Sequence, residues 1–270
     1  MIKLIAIDLD GTLLDSDKKI SNENIKAIQT ATKAGIKIVI CTGRPKSGVL
    51  PYFEKLGLND EEYIIMNNGC TVYNTKDWEL LNFAEVDSKE LERLGQTILK
   101  HPQICLTVTG EKHYYAVCDE VPDLVQYDGG LVFDTVVSTS IEELKKSSEI
   151  LFQAMFMGES EHIDIFQAEQ EMLLSEDFSV VRSQDYIFEV MPKGYTKATA
   201  LEKLANRLGY SSEEIMAIGD AANDIEMLDF AYHSVAMGNA STAIQDSCRY
   251  VTTSNDHAGV AKAIYDYVLS

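Results

Sequence analysis

The sequence predicts an α/β protein in which a core domain on a parallel sheet is interrupted by a second, α+β domain. Three observations carry this. Short β-branched apolar runs alternate with helical patterns in the first third, and the same alternation returns in the last third. The middle departs from it, with neighbouring strands joined by short turns. The outer thirds, 1–82 and 191–270, therefore read as one domain and 83–190 as another.

The elements follow in order. Residues 4–7 form the first strand, 21–34 a helix, 36–41 a strand, 49–56 a helix and 63–66 a strand, a βαβαβ series. Ile36-Lys37-Ile38-Val39-Ile40 is almost continuously apolar, as expected for a parallel strand covered on both faces. Gly35 ends the first helix through its freedom at positive φ. Late in the chain come a helix over 196–208, a strand over 215–218, a helix over 223–230, a strand over 234–237, a short helix to Asp246, a strand at 250–251 and a final helix from Ala258. In the middle, 104–109 and 113–118 pair across Gly110-Glu111-Lys112. A helix over 140–150, a strand over 152–157, a helix over 161–174 and strands over 179–182 and 186–191 complete that domain, with antiparallel pairing expected.

The 270 residues suffice for two domains. Forty-three acidic against 23 basic residues leave a formal charge of -20, which repels nucleic acid and anionic membranes. An anionic substrate would need a local positive island of metal, lysine or helix N-termini. Cys41, Cys70, Cys105, Cys118 and Cys248 are odd in number and never spaced Cys-x-x-Cys, so reduced thiols are expected and neither a disulfide framework nor a zinc site is. The start of the chain runs straight into an apolar strand, and no run of 18 apolar residues occurs, so a cytoplasmic protein is expected.

Ligands of open parallel sheets bind beyond the carboxyl ends of the strands, and four of those ends stand out. They carry Asp8-Leu9-Asp10-Gly11-Thr12, Thr42-Gly43-Arg44, Asn67-Asn68-Gly69 and Gly219-Asp220-Ala221-Ala222-Asn223-Asp224. The first and last bring at least three carboxylates to one crevice, where unpaired ionised groups would repel or raise one another's pKa. A divalent cation resolves this, and an all-oxygen set completed by water and phosphate suits Mg2+. An EF-hand fails because its loop glycine would fall at Leu13 or Ile20. Thr42 and the turn at Gly43 suit phosphoryl oxygens or, equally, a plain helix cap. Arg44 reads as a substrate contact or, preferably, a surface residue. Lys197 begins a helix, where positive charge opposes the macrodipole, which favours an accompanying anion; Lys193 reads as a surface lysine.

Taken together, Asp8-Leu9-Asp10-Gly11-Thr12, Thr42, Lys197 and Gly219-Asp220 with Asn223-Asp224 resemble, in this order, the four motifs of the haloacid dehalogenase superfamily. Its Cof-like phosphatases, with a large cap between the second and third motifs, match nearly the whole chain. The resemblance implies a Rossmann-like core (1–82 and 191–270) and an inserted α+β cap (83–190). It implies that Asp8 attacks phosphorus to form an aspartyl-phosphate, and that Asp10 protonates the leaving oxygen and then activates water. Mg2+ would be held by Asp8, the carbonyl of Asp10 and Asp220, with Asp224 behind them. The amides of Leu9 and Gly43, with Thr42, Lys197 and Asn223, would bind the phosphoryl group. Alanine at both 221 and 222 departs from common versions of the last motif but spares these ligands.

The substrate class so implied is a small phosphorylated metabolite, such as a sugar phosphate or a nucleotide-type cofactor. Asp10 separates phosphatase or phosphomutase chemistry from dehalogenase and ATPase chemistry. A phosphomutase using the same phosphoenzyme and a non-catalytic phosphometabolite sensor remain the alternatives. His113, Tyr114, Tyr115, Tyr127, Arg182 and Tyr186 are candidate cap contacts, although alternating strand aromatics are more often packing residues.

Overall fold

The computed structural model describes residues 1–58 and 61–269; Ser270, the last residue of the expected core segment, lies outside them. The chain divides into two compact units, one of Met1–Gly43, Val49–Asn82 and Thr196–Ser270, the other of Arg44–Gly48 and Phe83–Tyr195.

The first part of the chain gives β1 (Leu4–Asp8), α1 (Asn22–Lys33), β2 (Lys37–Cys41), α2 (Leu50–Leu56), β3 (Tyr63–Met66), β4 (Thr71–Asn74) and β5 (Leu80–Phe83). Ser21 caps α1 by accepting the Asn24 amide, and Gly35 follows it at φ 85, the left-handed backbone expected of it. The sequence reading stopped at β3 and missed β4 and β5. The chain reverses there because Asn67, Asn68 and Gly69 all take positive φ (51, 51 and 98), so β4 returns antiparallel to β3.

The second unit contributes α3 (Ser88–Ile98), β6 (Cys105–Gly110), β7 (Tyr114–Val117), α4 (Asp123–Leu131), β8 (Val136–Thr139) and α5 (Ile141–Lys146). It continues with β9 (Leu151–Met157), α6 (Ser160–Leu174), β10 (Phe178–Gln184) and β11 (Ile187–Pro192). Its six strands run in the order β10-β11-β9-β6-β7-β8. Helices α3 and α4 and strand β8 were not foreseen, and β8 runs parallel to β7 in a sheet whose other pairs are antiparallel. The helix read over 140–150 stops at Lys146, since Ser147 turns extended at ψ 146. Leu91, Leu94, Leu144, Ile163 and Phe166 cover one face of this sheet, against Leu106, Val108, Phe156, Phe188 and Val190.

The chain then returns to the first unit as α7 (Lys197–Leu208), β12 (Ile215–Gly219), α8 (Ile225–Phe230), β13 (His233–Ala236), α9 (Thr242–Ser247), β14 (Tyr250–Val251) and α10 (Gly259–Tyr267). Eight strands lie in the order β14-β13-β12-β1-β2-β3-β4-β5, parallel from β14 through β3. Alternate residues of the central strands are buried on opposite faces. Ile5, Ile7, Ile38 and Ile40 pack with Ala27 and Ile28 of α1 and Val260 and Ile264 of α10. Leu4, Ala6 and Val39 pack with Leu201 and Leu204 of α7 and Met227 and Leu228 of α8. Coverage on both faces explains the continuous apolar runs in the sequence. No helix of the described residues is long and apolar enough to cross a membrane.

Arg44 corrects the surface reading. It is 8% exposed and belongs to the second unit, where its guanidinium donates to the Leu131 carbonyl at 2.7 Å.

Candidate active site

Strand order makes β12, β1 and β2 neighbours, so their carboxyl ends place Gly219-Asp220, Asp8 and Cys41-Thr42 side by side. The helix that closes on this edge is α7. Gly69 has no side chain, and its Cα sits against the Thr196 carbonyl where a Cβ would collide. Thr196 caps the helix by accepting the Thr199 amide, which makes Lys197 the first helical residue.

Lys197 is 1% exposed, and its ammonium donates to Asp8 Oδ1 and to Asp224 Oδ1, each at 2.7 Å. Burial alone would lower the Lys197 pKa, but the Asp224 and Asp8 carboxylates outweigh it and push the ammonium up. Asp8 is pushed well above the usual carboxylate range by burial and by the Asp224 and Asp220 charges, with Lys197 opposing them. Asp224 is wholly buried, and its second oxygen, Oδ2, accepts the amides of Asp220 (3.1 Å) and Ala221 (3.2 Å). Both Asp224 oxygens are thus engaged, so this carboxylate braces the lysine and the Asp220 turn.

Asp220 accepts the Thr12 hydroxyl at 2.8 Å on Oδ1 and the Asn239 amide at 3.2 Å on Oδ2. The same Asn239 nitrogen donates to the Gly11 carbonyl at 2.8 Å. Gly11 lies at φ 77, and a Cβ there would strike the Asp220 carboxylate, so the turn requires glycine twice over. Burial, then Asp224, pushes Asp220 up to about 6. Asp8, Asp220 and Asp224 each present a carboxylate oxygen within 4.8 Å of one another, a group able to hold a metal ion. Three carboxylates face one ammonium in a buried place, and a hard cation with oxygen ligands would let them share the site in ionised form.

The remaining candidates lie on either side. Asp10 is partly exposed and pairs with Lys18 at 2.8 Å. Thr42, Gly43 and Asn223 converge on Asn68. The Thr42 carbonyl accepts the Asn68 amide at 3.0 Å, the Asn68 side chain lies where a Gly43 Cβ would be 3.1 Å away, and Asn223 donates to Asn68 Oδ1 at 3.1 Å. Leu9, between Asp8 and Asp10, is buried, with its carbonyl accepting the Leu14 amide. Lys193 is exposed, as expected, and donates to the Ser175 carbonyl in the second unit.

The sequence reading did not assign Thr12, Lys18, Asn68 or Asn239 to the site. Asn239 had a signal available: it follows β13, a fifth strand end on the same edge, and Asn68 stood in a segment singled out but given no role. Lys18 had none, since a loop lysine says nothing of where its ammonium lands.

These residues occur in a known setting. A family model for haloacid dehalogenase-like hydrolases matches residues 5–264. The chain is similar to YxeH of Bacillus subtilis (strain 168), with 32% identity over 273 residues spanning 100% of both proteins. It is also similar to the 5-amino-6-(5-phospho-D-ribitylamino)uracil phosphatase YcsE of that strain, with 31% identity over 274 residues, 99% of this chain and 96% of the other. Among solved structures, a haloacid dehalogenase-like hydrolase from Bacteroides thetaiotaomicron superposes with a TM-score of 0.87 at 28% identity, covering 98% of this chain and 99% of that one. With its four motifs gathered in one unit and its whole length matched, the chain belongs to the haloacid dehalogenase-like hydrolases and is an enzyme of their phosphatase group.

Proposed function

We propose that the enzyme hydrolyses a small phosphorylated metabolite in a Mg2+-dependent reaction through a phosphoenzyme on Asp8. The supporting observation is the buried Lys197 ammonium, 2.7 Å from both Asp8 and Asp224, at the carboxyl edge of a parallel sheet. A nucleophilic carboxylate must meet an anionic phosphate, and Lys197 with its brace offsets their repulsion without leaving the site.

The donor set fits Mg2+: the ligands are hard oxygens, and Asp8 and Asp220 carry the excess charge. Asp8, Asp220 and the Asp10 carbonyl would hold it, and when bound it would neutralise phosphoryl oxygens and orient the phosphate. Asp8 then attacks phosphorus, the bond to the leaving oxygen breaks, and Asp10 gives that oxygen its proton. In the second half Asp10 takes a proton from water, the water oxygen bonds to phosphorus, and the carboxylate of Asp8 departs. Two displacements replace one difficult one, and proton transfer by Asp10 contributes about 100-fold to 10000-fold. Thr42, Lys197, Asn223 and the amides of Leu9 and Gly43 bind the transferring oxygens. The second unit acts as the cap that selects the leaving group. A sugar phosphate or a phosphoribityl compound of the kind named for YcsE is a suitable substrate class.

Asp8→Asn should abolish magnesium-dependent hydrolysis of an aryl phosphate while leaving the circular dichroism spectrum unchanged. Turnover retained in that variant would refute the assignment.

A further inference from the structure

Outside the carboxylate site, two of the five thiols face each other. Strand β6 pairs antiparallel with β7 in the register Thr107↔Ala116, Val108↔Tyr115 and Thr109↔Tyr114, so the partner positions sum to 223. Carried two residues further, the same register sets Cys105 opposite Cys118, which lies one residue beyond β7. At the hairpin end the Gly110 amide donates to the His113 carbonyl at 2.8 Å, which makes 110/113 a hydrogen-bonded pair. Because antiparallel pairs alternate, Cys105/Cys118 falls in the non-hydrogen-bonded class, where Cα atoms approach to about 4.5 Å and side chains are closest. That separation lies within the roughly 4.4 to 6.8 Å a disulfide spans. The Cys105 thiol donates to the Leu106 carbonyl at 3.7 Å, and Cys118 packs against the apolar cluster that contains Cys105. Cys105 is buried and Cys118 partly exposed. Cys248, equally partly exposed, belongs to the first unit.

We propose that Cys105 and Cys118 form a reversible dithiol/disulfide site in the second unit, oxidised by peroxides and restored by dithiol reductants. Cys118 reacts first, being the more exposed of the two. Its thiolate attacks one peroxide oxygen, the O–O bond breaks, and hydroxide leaves, giving a sulfenic acid. Cys105 sulfur then attacks Cys118 sulfur, the S–O bond breaks, and a second hydroxide leaves. The two thiol protons convert both hydroxides to water, so two thiols and one peroxide yield one disulfide and two waters. Burial raises both thiols above the ordinary range, so the reaction is slow for a sensor and selective through its geometry. The bond would tie β6 to the segment that leads into α4.

The test uses the intact full-length protein. It is treated with hydrogen peroxide, alkylated under denaturing conditions and digested without reduction for mass spectrometry. The expected result is a Cys105–Cys118 cross-linked peptide about 2 Da lighter than the two thiol peptides combined. Dithiothreitol should abolish it, and Cys248 should remain outside the cross-link. In Cys105→Ser, dimedone should trap Cys118 as the sulfenic acid. Alkylation of Cys105 and Cys118 undiminished by peroxide would overturn the proposal, and so would a disulfide joining Cys118 to Cys248 of a second molecule.

Discussion

Each unit buries a carboxylate, and the two are held by opposite means. Asp8 in the first unit is held by the Lys197 ammonium, with Asp220 and Asp224 crowding it. Asp128 in the second unit accepts the hydroxyls of Tyr114 at 2.9 Å and Tyr186 at 3.0 Å. Burial, then Asp128, pushes the Tyr114 phenol well above its ordinary range, so it stays a protonated donor. Neutral donors satisfy a carboxylate and fix a helix to a sheet. A cation among three carboxylates instead leaves more acid than base, an imbalance that a metal ion would offset. Burial by itself does not mark an active site; unbalanced charge does.

The largest expected effect breaks the first arrangement. Lys197→Met leaves Asp8 and Asp224 buried without their cation, so urea denaturation should show a loss of about 3–5 kcal/mol. Hydrolysis should fall at least about 1000-fold if, as proposed, Lys197 binds the phosphoryl group. A stable, active Lys197→Met enzyme would put the first site on the same footing as the second.

The next effect sharpens the role of charge. Asp220 is raised from 3.8 to about 6 in the folded protein, so its contribution to stability is present below its unfolded value and is lost as pH rises through the folded one. Metal-free enzyme should therefore lose stability between pH values of about 4 and 6. Excess Mg2+ should erase that loss, since binding to the folded state alone stabilises it. Melting curves with EDTA and with Mg2+ across this range would check both signs. A melting temperature that rises across the window without metal would contradict the reading.

Gly11→Ala forces a Cβ toward the Asp220 carboxylate at positive φ and should cost about 1–3 kcal/mol with a matching loss of turnover. The smallest effect lies in the second unit. Asp128→Asn keeps an acceptor oxygen for one tyrosine and turns an NH2 donor to the hydroxyl oxygen of the other; it should cost about 1 kcal/mol, with aryl phosphate hydrolysis close to wild type. A collapse of that activity would mean the tyrosine-held carboxylate does more than fix α4.

What the sequence revealed follows the same division. The parallel strands were legible because burial on both faces writes continuous apolar runs, and Asp8, Asp220 and Lys197 because they stand at strand and helix ends. Strands β4 and β5 were not, because the reversal before them needs Asn67 and Asn68 as well as Gly69 at positive φ, a conformation that asparagine does not announce in sequence. Arg44 was misjudged because its partner, the Leu131 carbonyl, is a backbone atom 87 residues away. Lys18 reaches the site from a loop, and only a fold can say where a loop side chain ends, whereas Asn239 stood after β13, a strand end that could have been read. In the second unit, Asp128 and Tyr186 belong to a helix and a loop 58 residues apart, so nothing local announced their pairing.

The central claim is that Asp8 forms the phosphoenzyme, and one measurement addresses it directly. Enzyme is mixed with Mg2+ and a turning-over phosphate ester, quenched in acid, reduced with borohydride and mapped by mass spectrometry. An acyl phosphate on Asp8 would be reduced to homoserine, so conversion at position 8, dependent on substrate and absent at Asp10, Asp220 and Asp224, is the expected result. Full turnover with an unmodified Asp8 under the same quench, or conversion at a different carboxylate, would contradict it.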